Sequence, residues 1–244
     1  MLRREKRTIS TFMPNNTLEK LKAACPTISV GILTADLLNL GAEVALLEEA
    51  GVKLVHFDVM DGCFVPMMTI GPAFIKAVKT PLLKDVHLLI QDPLDKVEAY
   101  VAAGADIVTV HIESADDVLP VLRKLRGVIR GIALNPGTPM EAIEPLLDEV
   151  EMVEVLAVVP GVSSKFEDST PDRLAKAGEM IAGRDILLCV DGGIKRDNIA
   201  EVAKLGADII VTGSAVFDGK DPRGNAEFML AIMSDRSDLS DKSD

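Results

Sequence analysis

Basic charge is what this sequence is short of: 26 Lys and Arg stand against 38 Asp and Glu, a formal net charge of −12. A nucleic acid is held by a basic face, and no stripe of Lys and Arg interleaved with aromatics occurs, which excludes general nucleic-acid binding. Cysteine is scarce as well. Cys25, Cys63 and Cys189 are widely spaced and odd in number, so they make no disulfide framework and point to a reducing, cytoplasmic compartment. No stretch approaches the roughly 18 consecutive apolar residues of a membrane-spanning helix, and Met1–Asn16 is polar and charged rather than an apolar signal region. The expectation is a soluble chain with no membrane partner. Apolar residues, by contrast, make up 48% of the chain, enough for a large core and too many for disorder throughout.

Short β-branched runs alternate with amphipathic segments from about residue 27 to 233. The strand candidates are Thr27–Leu33, Leu54–Asp58, Leu82–Leu89, Ile107–His111, Gly131–Leu134, Val153–Val158, Ile186–Val190 and Ile209–Thr212. Leu38–Glu49, Lys96–Ala103, Val118–Arg126, Met140–Leu147, Pro171–Ile181 and Arg196–Leu205 carry apolar residues at helical spacing between them. Gly51, Gly104 and Gly206 each follow a helix, where a left-handed cap suits glycine. Strand and helix in eightfold alternation imply the α/β class with parallel strands, and eight strands close a (β/α)8 TIM barrel. An open doubly wound sheet is the rival, but its dinucleotide-binding fingerprint is missing. The domain division is an N-terminal extension over residues 1–26, a barrel over 27–234 and a Ser/Asp-rich tail, Asp235–Asp244, expected to be disordered. A short helix over Thr17–Ala24 would either cap the barrel bottom or make a subunit contact.

Sites in such barrels lie at the C-terminal ends of the strands, and all three histidines are expected there. Strand alternation puts His56 and Asp58 on one side, with Phe57 on the other. With His87 from the neighbouring strand and Asp191 after the seventh, they make a plausible four-ligand site for zinc, or for iron or manganese. Asp85 shares the face of His87 and is read as orienting a ligand. His111, with Glu113 on its face, serves equally as support or packing. Asp191-Gly192-Gly193-Ile194 after strand seven and Gly213-Ser214-Ala215 after strand eight have the small residues that let backbone N–H groups approach a phosphate. Together these features call for a small phosphorylated sugar.

The sequence resembles the ribulose-phosphate 3-epimerase family from about Pro26 to Phe217. The motifs are Ile32-Leu33-Thr34-Ala35-Asp36, His56-Phe57-Asp58-Val59-Met60-Asp61-Gly62, Asp85-Val86-His87-Leu88, Leu134-Asn135-Pro136-Gly137-Thr138-Pro139, Val190-Asp191-Gly192-Gly193-Ile194-Lys195 and Gly213-Ser214-Ala215. The resemblance implies a phosphate-binding barrel in which His56, Asp58, His87 and Asp191 hold one divalent metal, zinc foremost, with iron, manganese or cobalt as alternatives. It implies that Asp58 and Asp191 are the catalytic pair for inversion at carbon 3 of ribulose 5-phosphate, and that the chain is a homo-oligomer, dimer to hexamer. It also implies substrate and phosphate contacts from Gly31, Met60, His87, Gly161, Ser163, Ser164, Gly192, Gly193, Gly213 and Ser214.

Departures from the family pattern fall around the substrate. Gly31 replaces a serine, Leu89 and Leu156 stand where methionines usually pack, and Cys63-Phe64-Val65-Pro66-Met67 replaces His-Phe-Val-Pro-Asn. The loop after strand six, Pro160-Gly161-Val162-Ser163-Ser164-Lys165, is shorter and lacks the usual Gly-Gly, so its phosphate contacts are expected to differ. Two further readings compete: a related decarboxylase or aldolase, against which the missing lysine after Asp85 argues, and a non-catalytic sugar-phosphate-binding barrel.

Overall fold

Eight strands of four to seven residues each place their inward side chains in one barrel. The computed structural model describes residues 15–240, with side chains described for residues 17–235. The strands are β1 (Thr27–Gly31), β2 (Leu54–Met60), β3 (Leu83–Leu89), β4 (Ile107–His111), β5 (Ile129–Leu134), β6 (Met152–Leu156), β7 (Leu187–Asp191) and β8 (Ile209–Thr212). They pair in parallel in chain order, and β8 returns to β1, so the sheet closes. The fold is therefore the expected (β/α)8 barrel.

Around it run α1 (Asn15–Ala24), α2 (Leu40–Glu49), α3 (Pro72–Ala77), α4 (Val97–Ala102), α5 (Leu119–Lys124), α6 (Thr170–Ile181), α7 (Ile199–Ala203) and α8 (Pro222–Ser240). Helix α3, only six residues long and opened by a proline, was not foreseen, nor was α8. Met140–Leu146 is a 3₁₀ segment rather than an α-helix, because Pro145 inside it cannot supply the N–H of an α-helical bond. Helix α8 extends through Ser240 into the stretch expected to be disordered, and residues 241–244 lie outside those described. Gly51, Gly104 and Gly206 have φ of 85°, 91° and 100°, the left-handed conformation their capping role requires.

Outward residues such as Val55, Phe57, Val153 and Val155 pack beneath the helices in the main core. A second cluster fills the barrel itself: Leu54, Ile107, Ile129, Met152, Leu187 and Ile209 close its lower part, and Leu21 from α1, fully buried, packs against them. Helix α1 thus caps the bottom, one of the two roles left open. Further up, the inward positions change character. Ser29, His56, Asp85, His87, Thr109, His111 and Glu154 are polar and buried. No helix among the described residues is long and apolar enough to cross a membrane.

Candidate metal centre and phosphate pocket

The register brings the polar residues together. On β2 and β3, His56 lies beside Asp85 and Asp58 beside His87, while β7 ends on Asp191, in register with Leu156 of β6 and Val211 of β8. One donor atom from each of His56, Asp58, His87 and Asp191 lies within 4.8 Å of all the others. His87 lies two residues from the end of β3, as expected, but β2 runs on to Met60 and leaves His56 well inside it; both histidines are fully buried, whereas the Asp58 and Asp191 side chains keep 22% and 17% exposure. The carboxylates therefore face the barrel mouth, and the imidazoles back them.

Hydrogen bonding sets the tautomers of both rings. His56 Nδ1 donates at 2.8 Å to Asp85 Oδ2, which also accepts the Ser29 hydroxyl at 2.8 Å. The Nε2 lone pair of His56 is thereby left facing Asp58 Oδ1 at 3.1 Å. His87 Nε2 meets His111 Nε2 at 2.8 Å, and His111 Nδ1 meets Glu113 Oε2 at 3.1 Å. Glu113 in turn accepts the Asn135 N–H at 2.8 Å and the Thr138 hydroxyl. This chain of donors leaves the bare Nδ1 of His87 pointing at the cluster, 3.3 Å from Asp58 and 3.5 Å from Asp191, with no hydrogen bond to either. Buried ring nitrogens that face carboxylate oxygens this closely fit a cation between them, a proton or a metal ion. A coordination bond of about 2.1 Å puts neighbouring ligands roughly 3.0–3.4 Å apart, the spacing of the His56–Asp58 pair at 3.1 Å and the His87–Asp58 pair at 3.3 Å.

The electrostatics make the same demand. Burial pulls both imidazoles down, yet the carboxylates outweigh it: Asp58 and Asp85 raise His56 well above the usual histidine range, and Glu154, Asp191 and Asp58 raise His87 to about 10. Burial alone would raise Asp58, but His56 and His87 hold it well below the usual carboxylate range. The centre is short of positive charge, a deficit that a divalent ion would fill. His111 is instead lowered to about 4, chiefly by burial, and stays a neutral relay between His87 and Glu113.

A cavity of about 130 Å³ opens directly above. Its lining includes Asp58 and Asp191, the small residues Gly31, Ser164, Gly192, Gly193, Gly213 and Ser214, and Lys195. Two glycines there are required by space: a Cβ on Gly213 would stand 2.9 Å from the Gly31 carbonyl oxygen, and one on Gly192, at φ 106°, 2.4 Å from Val158. Gly31 is different, since a Cβ there would only touch Gly213 at 3.7 Å; the glycine leaves room in the mouth. Of the other expected contacts, His87 lies deeper in the metal cluster and Met60 at the top of β2. Gly161, at φ 70°, packs by Val65 and Pro66. The Ser163 N–H is used in a turn to the Val159 carbonyl, and its hydroxyl accepts the Lys165 N–H. Asp92 is the one non-glycine residue with positive φ among those described, so the two serines avoid left-handed backbone by reshaping the loop.

One buried group went unnoticed in the sequence. Glu154 of β6 points into the barrel, fully buried, with an oxygen 3.2 Å from His87 Nδ1. The alternation Met152, Glu154, Leu156 along an inward-facing strand was the signal that could have found it.

Known proteins resemble this chain closely in sequence. The Ribulose-phosphate 3 epimerase family pattern matches residues 27–217. Ribulose-phosphate 3-epimerase of Rhodobacter capsulatus is 42% identical over 200 residues, covering 79% of this chain and 86% of its own length. The Escherichia coli K12 enzyme of that name is 39% identical over 205 residues, covering 80% and 90%. Among solved structures, 3-hexulose-6-phosphate synthase from Salmonella typhimurium superposes with a TM-score of 0.62 at 24% identity, covering 86% of this chain and 99% of that one. At that identity the likeness is one of fold.

Proposed function

The chain belongs to the ribulose-phosphate 3-epimerase family, and is thus an isomerase, a pentose-phosphate epimerase; we propose that it inverts carbon 3 of a phosphorylated ketose, ribulose 5-phosphate or a close analogue, with Asp58 and Asp191 as its two proton-transferring groups and a divalent metal held by His56, Asp58, His87 and Asp191. The observation that carries this reading is the single cavity joining the Asp58 and Asp191 carboxylates to the pocket of Gly192, Gly193, Gly213 and Ser214.

A C–H beside a ketone is a weak acid, and inversion needs its proton removed from one face and another returned to the opposite face. One fixed base cannot reach both. Asp58 on β2 and Asp191 on β7 approach the cavity from different strands, so one accepts while the other donates, and the reverse reaction exchanges their roles. Asp58, held well below the usual carboxylate range, is ionised at neutral pH and ready to accept. His56, Asp58, His87 and Asp191 would hold the divalent ion, which would supply Lewis acidity against negative charge developing on the substrate oxygens. His56 and His87, oriented by Asp85 and by the His111–Glu113 pair, keep the carboxylates placed. The phosphate is received by the glycine-lined side. Val216 and Phe217 N–H groups donate to Gly213 O, so a single helical turn begins at Gly213 and Ser214, which line the cavity. The room left at Gly31 permits a substrate slightly different from the pentulose. Residues 27–234 form the catalytic unit in this reading.

The test is NMR of a panel of ketose phosphates incubated with the metal-loaded protein in D2O. Deuterium at carbon 3 together with the epimer is the expected result. Exchange without epimer would leave a single base at work, and no exchange with any sugar would remove the proposal.

A further inference from the structure

Lys195 is the one cationic side chain among the described residues that line the mouth cavity, and it shares that lining with the Asp58 and Asp191 carboxylates. Its backbone is already committed. The Lys195 N–H donates to Asn198 Oδ1 at 2.7 Å, the Asn198 side-chain amide donates to Gly193 O at 3.0 Å, and the Lys195 carbonyl accepts the Ile199 N–H at 2.9 Å. Asn198 thereby clamps the turn over 193–195 in one shape, and the Lys195 N–H has nothing left to give a ligand. The side chain is free where the backbone is not: it is exposed, and no hydrogen bond or ion pair engages its ammonium among the described residues.

The loop after β6 packs against the same turn, with Phe166 N 2.9 Å from where a Cβ on Gly193 would stand. Three of its N–H groups are spent inside it: Val162 and Ser163 both donate to Val159 O, and Lys165 donates to the Ser163 hydroxyl. An anion bound between these two loops loses those donors and meets two carboxylates, in a chain of net charge −12. A phosphate dianion there needs positive charge, and an ammonium makes charge-assisted hydrogen bonds roughly twice as strong as those of a neutral N–H.

We propose that the Lys195 ammonium pairs with the phosphate of the bound ketose phosphate, supplies the charge that the spent N–H groups of the β6 loop do not, and so sets the preference for phosphorylated over unphosphorylated ketoses. This inference rests on the proposed reading of the cavity as the phosphate-receiving site. The phosphate is remote from the reacting carbon and keeps its charge throughout, so the pairing stabilises ground and transition states alike and belongs in KM rather than kcat.

The experiment compares the full-length wild type with Lys195→Met, which keeps the stem and removes the charge, and Lys195→Arg, which keeps the charge. Lys53→Met, just before β2 at the opposite end of the barrel, removes the same charge away from the cavity. Circular dichroism verifies the fold of each. Turnover of ribulose 5-phosphate by the metal-loaded proteins gives KM and kcat. Phosphorus NMR titration of the metal-free proteins with inorganic phosphate gives a Kd to which no bound ion contributes. Lys195→Met should raise both KM and the phosphate Kd at least tenfold with kcat within about threefold of wild type, while Lys195→Arg and Lys53→Met stay within about threefold in all three. Because charge pairing is screened, raising salt from about 0.05 to about 0.5 M should weaken phosphate binding to wild type and leave that of Lys195→Met nearly unchanged. Wild-type phosphate affinity in Lys195→Met, a loss confined to kcat, or an equal loss in Lys195→Arg or Lys53→Met would each overturn the assignment. A wild type that neither turns over a ketose phosphate nor binds phosphate would remove the reading of the cavity itself, and this inference with it.

Discussion

Asp85→Asn isolates the contribution of a residue that touches no substrate. Asp85 lies fully buried below the cluster, and its Oδ2 accepts from both His56 Nδ1 and Ser29 Oγ at 2.8 Å. Asparagine keeps the shape but removes the charge that fixes the His56 tautomer. Loss of such a carboxylate behind a metal-ligating histidine typically costs about 10- to 100-fold in metal affinity. An ion at about 100 times its Kd stabilises the wild type by about 2.7 kcal/mol, and at the same concentration a 10- to 100-fold weaker site is stabilised by only about 1.4 to 0.4 kcal/mol. At about 2–4 °C per kcal/mol for a chain of this size, the metal-induced rise in Tm shrinks from about 5–11 °C to about 1–6 °C. Thermal unfolding followed by circular dichroism, with and without Mn²⁺ or Zn²⁺, measures it. Turnover of the variant should recover at saturating metal. A metal-induced rise equal to that of wild type, with only the metal-free protein destabilised, would show that Asp85 merely supports the core and would refute the reasoning.

Four further outcomes are expected. Asp191→Asn should abolish both epimerisation and solvent exchange at carbon 3 with the circular dichroism spectrum unchanged; near-normal turnover would remove Asp191 from the pair. Gly213→Ala sets a methyl group 2.9 Å from the Gly31 carbonyl oxygen, so KM for the phosphorylated substrate should rise about tenfold, roughly 1.4 kcal/mol, with kcat less affected. Leu21→Ala empties a fully buried site between α1 and the barrel floor and should cost about 2–5 kcal/mol in urea unfolding while leaving KM alone. Alkylation should mark Cys63, which is exposed, long before Cys189, which is buried, or Cys25, whose thiol burial pushes up to about 12; mass spectrometry of the native protein should find a single adduct at early times.

Much of this molecule follows from sequence periodicity alone. Strand alternation is local, so His56 and Asp58 share a face whatever surrounds them, and eight apolar runs separated by glycine-capped helices leave few topologies besides the closed barrel. The short, proline-opened α3 carries too few residues for a periodic signal. Depth was also invisible: His56, taken for a residue near the end of its strand, lies well inside β2 because that strand continues past Asp58 to Met60. The partners of the site depend on barrel stagger, which sets β2 against β3 and carries β6 to the edge of the same centre. Only that closure places Glu154 beside His87, 67 positions earlier in the chain (154 − 87), and lets His111 and Glu113 choose which nitrogen of His87 faces the cluster. The residue types able to bind a metal and move a proton were thus written along each strand by itself. Which atoms converge, and which of them are stripped of water, was decided by the packing of eight strands around one axis, since desolvation and tautomer are properties of surroundings that no single strand contains.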